Sequence, residues 1–167
     1  MSALTYSWFM EARTLHAPLN ALSAATRPPG IEIATLTTFD IPALAVLTLE
    51  AYGDDVTPEA LLETSEELRL TFEGAFGATT EDSFVGAWDG GTLVGAILVV
   101  RESPWDDAPD GPFVVDLIVA PDYRRRGIAT ALVAEVAGRC ASWGFGSLAL
   151  RLDSRHGGAN ELYSVLG

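Results

Sequence analysis

Residues 113–130, FVVDLIVAPDYRRRGIAT, limit what this chain can fold into more than any other stretch. Phe113 to Val119 is a run of apolar and β-branched residues broken only by Asp116, which predicts a buried strand. Ala120, Pro121 and Asp122 end it. Three arginines follow, Arg124, Arg125 and Arg126, and then Gly127, Ile128, Ala129 and Thr130. From Ile128 the apolar spacing becomes helical, with Ile128, Leu132, Val136 and Cys140 recurring every fourth residue beside Val133 and Ala137. The chain therefore runs strand, tight basic loop, helix. A helix N-terminus carries N–H groups without helical partners and the positive end of the dipole. Gly127 lets backbone approach a ligand closely, Ala129 adds little bulk, and guanidiniums fork onto phosphate oxygens. Such a loop binds an anion, and phosphate or pyrophosphate fits it best.

Two common phosphate loops are excluded. The chain has no lysine, which a Gly-x4-Gly-Lys-Ser/Thr loop requires, and it has no Gly-x-Gly-x-x-Gly fingerprint. The pattern present is Arg124-x-x-Gly127-x-Ala129, preceded by Leu117-Ile118-Val119 and Pro121-Asp122-Tyr123. It resembles the Arg/Gln-x-x-Gly-x-Gly/Ala loop of the GNAT N-acetyltransferase superfamily, in which loop amides hold the pyrophosphate of acetyl-CoA. The ending Glu161-Leu162-Tyr163-Ser164-Val165-Leu166-Gly167 is similar to that family's Leu-Tyr-x-x-x-Gly-Phe close and stops one residue short of the Phe. The resemblance is good over residues 84–167 and weak before them.

Composition bounds the rest. A chain of 167 residues, 49% of them hydrophobic, suits one domain with a core rather than a disordered chain. No apolar run reaches membrane-spanning length and no signal-peptide pattern is visible, so a soluble cytoplasmic protein is expected. The single cysteine, Cys140, excludes an internal disulfide and sits on the apolar stripe of its helix. Residues 32–110 carry 17 acids against two arginines, whereas residues 111–167 carry five acids and six arginines. That distribution offers no broad basic face for nucleic acid. The acidic part either favours a cationic amine acceptor or consists of solvated helix faces. Nothing clusters like a metal site: His16 and His156 are far apart and one cysteine makes no thiolate cage.

The remaining elements follow from periodicity and punctuation. Thr5 to Thr14 alternates like a strand, and Pro28-Pro29-Gly30 is a turn. Ile31 to Leu36 is the first secure strand. Asp40 is placed to cap a helix with Pro42 in its first turn, stopped by Tyr52-Gly53-Asp54-Asp55. Thr57-Pro58-Glu59 opens a second helix with Leu61, Ser65, Leu68 and Phe72 as its stripe and Glu63, Glu66 and Glu67 largely off it. Phe84 to Trp88 and Thr92 to Arg101 form a hairpin about Asp89-Gly90-Gly91, and a polar loop runs from Glu102 to Pro112. Leu148 to Leu152 is the last strand and His156 to Leu166 the last helix. The strand–helix–strand unit makes part of the sheet parallel and the hairpin makes the rest antiparallel, a mixed α/β sheet flanked by helices. This order resembles the GNAT fold without its usual last two strands. We divide the chain into an N-terminal extension, residues 1–30, and a GNAT-like acetyltransferase domain, residues 31–167. A sheet ending at Leu148–Leu152 would expose an edge. The N-terminal strand is therefore expected to cover it, within the chain or by exchange in a homodimer.

The resemblance also implies roles. Acetyl-CoA is the co-substrate, a small-molecule or peptide amine the acceptor, and attack is direct. Leu117, Ile118 and Val119 give backbone hydrogen bonds to the pantetheine, with the Val119 amide as oxyanion donor, and Arg124 to Thr130 hold the pyrophosphate. Tyr163 matches the family's general acid, protonated at neutral pH because a phenol titrates near ~10; a packing tyrosine is the plainer reading. Asp116, the only polar residue in its strand, reads either as a general base acting through water or as a structural hydrogen-bonding group. His156 stands where relatives have an Asn and reads as a pantetheine contact or a surface histidine, with Asn160 as the other polar contact. Tyr52, Asp54, Asp55, Trp105, Asp106 and Asp107 lie on loops the family uses for the acceptor. The rival function is a non-catalytic CoA-binding sensor of the same fold; a weaker third is an unrelated phosphate-binding α/β domain.

Overall fold

The structure, a computed structural model, describes residues 12–18, 27–102 and 110–153. In chain order the elements are β1 (Ala12–Pro18), β2 (Ile31–Thr35), α1 (Ile41–Ala51), α2 (Pro58–Phe72), β3 (Phe84–Asp89), β4 (Thr92–Val100), β5 (Phe113–Val119), α3 (Ile128–Ser142) and β6 (Ser147–Asp153). The six strands make one sheet in the order β1-β6-β5-β4-β3-β2. All neighbours are antiparallel except β5 and β6, which the crossover through α3 makes parallel. No helix among the described residues is long and apolar enough to cross a membrane.

Local chemistry sets the helix starts. Thr57 caps α2, its Oγ1 accepting from the Ala60 N–H at 3.1 Å, with Pro58 at the first helical position. Before α1 the cap differs from expectation. Thr37 opens a short 3-10 turn, Thr38–Asp40, and the Asp40 carboxylate turns back to accept the Thr37 N–H at 2.8 Å instead of capping forward. Along α3 the residues Leu132, Val136 and Cys140 are completely buried, as their four-residue spacing requires. The expected helix from His156 to Leu166 lies outside the described residues.

Helices cover both faces of the sheet. A Cβ on Gly95 of β4 would stand 2.9 Å from Ile128 Cγ2 and 3.2 Å from Leu132 Cδ1, so the absence of a side chain there seats the first turn of α3. The opposite face, which carries Leu98 and Asp116, packs under α1 and α2. Two irregularities bend the central strands. On β4, Val94 is the extra residue between the pairs Ala87↔Gly95 and Trp88↔Leu93. On β5, Val115 is extra, because Asp116 stands opposite Leu98 and Val114 opposite Val99. The β5–β6 register covers only Phe113↔Ala149 and Val114↔Leu150. The two strands therefore part at the bulge.

The outer edge of β6 is paired by β1 in full register, from Ala12↔Asp153 to Pro18↔Ser147. This strand overlaps the alternating stretch picked out by sequence only at residues 12–14; residues 5–11 lie outside the described residues. Its ladder hydrogen bonds occupy backbone groups of β6 that would otherwise face water or another chain. A chain beginning at Arg27 should melt several degrees lower than the full chain or show a larger scattering mass. Equal melting temperature and equal scattering would mean that this pairing adds no stability.

Candidate active site

The parting of β5 from β6 opens the sheet where sequence puts the reactive strand. In an antiparallel pair the residues alternate between exchanging both hydrogen bonds and exchanging none. The Ala120 N–H donates to Val94 O at 2.8 Å, the bond that flanks a non-bonded Val119↔Gly95 pair. Val119 and, two residues earlier, Leu117 therefore direct their N–H and C=O groups away from β4 and into the gap beside β6. Ile118 is the hydrogen-bonded partner of Ala96, so its backbone faces β4. Among the three strand residues singled out by sequence, Leu117 and Val119 present backbone to the gap.

The gap leads to the basic loop. Pro121–Tyr123 forms a 3-10 turn, Arg125 has φ 63, and Gly127 caps α3 in the left-handed region at φ 83. A left-handed arginine costs roughly 1–2 kcal/mol, and strain of this kind gathers at ligand sites. The left-handed Gly127 followed by the right-handed turn of α3 lines up the N–H groups of Gly127, Ile128, Ala129 and Thr130, a concave run suited to an anion. No side chain caps this helix start.

The three arginines do different things. Arg124 turns inward: its Nε donates to Val119 O at 3.2 Å and its Nη2 to Ala51 O at 2.6 Å. It ties the loop to the end of β5 and to the last turn of α1, where helix carbonyls welcome a cation. Arg125 is exposed. Arg126 lies over the Tyr123 ring, 4.8 Å from its centroid, and Tyr123 donates its phenol to Asp89 at 2.6 Å. That bond to a carboxylate holds the Tyr123 pKa above the ordinary phenol value. Nothing in the sequence marks Arg124 as a fastener, because its partners are backbone carbonyls.

Asp116 lies on the α1/α2 face next to the bulge. Tyr52, at the end of α1, donates its phenol to Asp116 Oδ1 at 2.5 Å, and both side chains are half-buried. Sequence put Tyr52 on the acceptor side and Asp116 in the strand; the fold brings together two residues 64 apart in the chain. Asp54 and Asp55, in the turn after α1, are exposed. Asp116 and Val115 form one wall of a cavity of about 210 Å³ whose other walls are α1, α2 and the turn after α2. Cys140 is buried on the far face, and burial pushes its thiol up to about 12, which leaves no nucleophilic thiolate at neutral pH. Tyr163, His156, Asn160, Trp105, Asp106 and Asp107 lie outside the described residues. Among the described residues no cluster of three or more His, Cys, Asp or Glu is placed to hold a metal.

A strand that parts from its neighbour beside a left-handed, arginine-rich helix start is the geometry of the site, and comparison gives the family. Residues 46–167 match the family model described as Acetyltransferase (GNAT) family. The chain belongs to the GNAT acetyltransferase family. Among solved structures, the PH1933 protein of Pyrococcus horikoshii OT3 superposes with a TM-score of 0.67 at 16% identity, over 82% of this chain and 87% of that one. The PaiA N-acetyltransferase of Thermoplasma acidophilum, solved in complex with coenzyme A, gives 0.59 at 18% identity over 82% and 88%. A GCN5-related N-acetyltransferase from Sphaerobacter thermophilus gives 0.61 at 22% identity over 86% of this chain. The chain spans only 37%, 42% and 28% of three longer structures in this group. No curated protein sequence matches the chain significantly. At these identities the structures establish the fold.

Arg124→Gln should loosen the loop. It replaces charged donors to Val119 O and Ala51 O, and a hydrogen bond to a charged group is worth about 1.5–3 kcal/mol. Urea denaturation should show a loss of that size. An unshifted midpoint would show that the guanidinium is not holding the two carbonyls.

Proposed function

We propose that this chain transfers an acetyl group from acetyl-CoA to an amine by direct attack, without a covalent enzyme intermediate. The observation that carries the reading is the opening between β5 and β6 that ends at the Gly127 helix start. A strand edge exposed inside a sheet needs partners for its N–H and C=O groups. The pantetheine arm is an extended chain with two amides and can lie there as a substitute strand. The N–H groups of Gly127 to Thr130 then receive the pyrophosphate, with the Arg125 and Arg126 side chains adding charge, while Arg124 keeps the loop in shape.

Direction along β5 sets the rest. With the phosphates at the loop, the arm passes Val119 first and Leu117 second, about 6.6 Å further on at 3.3 Å per residue. The thioester then lies beside Leu117, Asp116 and the bulge. The Leu117 N–H is therefore the better placed oxyanion donor, and Val119 binds a pantetheine amide. This moves the donor role two residues from where the family resemblance alone suggested it. Buried, preorganised N–H donors of this kind are worth ~10²–10³-fold in rate.

The amine approaches from the α1/α2 face. Its nitrogen gives one proton to Asp116, directly or through water, and attacks the thioester carbon. The carbonyl oxygen takes the negative charge, the C–N bond forms and the C–S bond breaks. The departing thiolate takes a proton from Tyr163, and the phenol is restored by the second proton of the nitrogen. Tyr52 positions Asp116 through its phenol. His156 and Asn160 serve as polar contacts to the pantetheine. The buried Cys140 takes no part.

The test is acetyl-CoA titrated into the chain by calorimetry, followed by thiol release in the presence of amines. The chain should bind acetyl-CoA and release CoA only when an amine is present. Gly127→Glu, which sets a charge and a side chain at a left-handed position on the pyrophosphate path, should lower CoA affinity at least ~100-fold, since charge repulsion and lost backbone donors add. Unchanged affinity would remove the loop from the binding site. Binding without amine-dependent release would make the chain a CoA-binding module instead.

A further inference from the structure

The cavity of about 210 Å³ between α1, α2 and β5 has a chemically one-sided lining. Its polar walls accept hydrogen bonds and hardly donate them. Thr48 gives its hydroxyl proton to Leu44 O at 2.7 Å, and Thr71 gives its own to Glu67 O at 2.9 Å. Each threonine therefore offers only lone pairs and a methyl group to the cavity. Asp116 and Glu67 complete the polar lining as carboxylates, which accept only. Among the described lining residues, Thr64 is the one whose hydroxyl proton is not assigned to a backbone carbonyl. Among the described residues no Arg or His side chain lines the cavity. Arg69, the single cation on α2, is held by Glu66 and Glu73 on the helix surface and does not neutralise Glu67.

The remaining walls are Leu68, Phe76, Leu98 and Val115. Volume and chemistry then select one class of ligand. Drug-sized ligands fill roughly 300–1,000 Å³, so this space takes a molecule of few heavy atoms and not a peptide or a sugar. An alkylammonium has three donors and no acceptor, the inverse of this lining, and its methylenes match the apolar wall. A carboxylate or phosphate meets two negative charges and no donor pair.

We propose that the acceptor is a small primary alkylamine, bound as its ammonium in this cavity, with Glu67 and Asp116 recognising the cation. This rests on the acetyl-transfer reading above for its reaction, though not for its binding. Asp116, beside Leu117 and the thioester, takes one proton from the nitrogen. Glu67, on the opposite wall, draws the ammonium in and sets specificity. The nitrogen loses two protons in all, one to Asp116 and one to the CoA sulfur through Tyr163, as the C–N bond replaces the C–S bond.

The test titrates n-butylamine at pH 7, where it is protonated, and butan-1-ol as its neutral match in size. Both go into the chain and into the Glu67→Gln and Thr64→Phe variants, by calorimetry without CoA. Glu67 is exposed and Thr64 half-buried on α2, neither side chain makes a hydrogen bond or ion pair to another described residue, and circular dichroism checks the fold. The chain should bind butylammonium and not the alcohol. Glu67→Gln should weaken binding about tenfold, the scale of a hydrogen bond to a charged group, and Thr64→Phe should remove it by filling the space. CoA affinity should be the same in all three proteins. With acetyl-CoA added, kcat/KM for butylamine should exceed that for a tripeptide α-amine. The proposal is overturned if the chain does not bind butylammonium, if the alcohol binds as well, if both variants bind as the parent does, or if the tripeptide is the better acceptor. If CoA does not bind, the acetyl-transfer reading fails on its own, while the amine titration still decides what the cavity holds.

Discussion

The site depends on one break in backbone pairing. Neighbouring strands normally pair every N–H and C=O that faces their shared side, and a buried peptide group without a partner costs several kcal/mol. Here β5 and β6 share two registered pairs and then separate at the Val115 bulge. The bulge bends β5 away, and beyond it β5 still pairs with β4, so the strand is anchored on one side and open on the other. The opening is as polar as a sheet edge and lies in the middle of the fold. That combination suits an extended, amide-bearing arm.

What holds the opening in shape comes from distant parts of the chain. Gly95 admits the first turn of α3 against β4, which fixes where the helix N-terminus stands. Arg124 ties the loop both to Val119, on the gap side of β5, and to Ala51, at the end of α1. The next residue of α1's exit, Tyr52, holds Asp116. One short stretch, Ala51-Tyr52, thus fastens both the basic loop and Asp116. Movement of α1 would disturb the two together, and the cavity walled by α1 and α2 would change with it.

Much of this was readable in sequence because it rests on local pattern. Phe113–Val119 matched its strand, and Ile128 began its helix, because an uninterrupted apolar run and a four-residue period are strong signals. The basic loop was visible because glycine and arginine have few plain reasons to sit between those elements. The Val115 bulge was not visible, since an extra β-branched residue in an apolar strand looks like every other. The loss of β5–β6 pairing was hidden for the same reason. Register decided which amides face the gap, and three consecutive apolar residues carry no mark of register. The bonds from Arg124 to Val119 O and Ala51 O were not visible, because a guanidinium's partners are written in space and not in sequence. The Tyr52–Asp116 bond and the cavity facing Glu67 are long-range products of the same kind. Glu67 in particular read as one more solvated acid on a helix face.

The central claim is that the backbone of Leu117 and Val119 and the first turn of α3 receive the cofactor. Residue-resolved amide hydrogen exchange, measured with and without CoA, tests it most directly. The account predicts that CoA slows exchange at Leu117, Val119 and Gly127 to Thr130, while Ile118, already bonded to Ala96 across β4, changes little. Protection at Ile118 to the same degree as its neighbours, or protection confined to segments away from β5 and the start of α3, would contradict it.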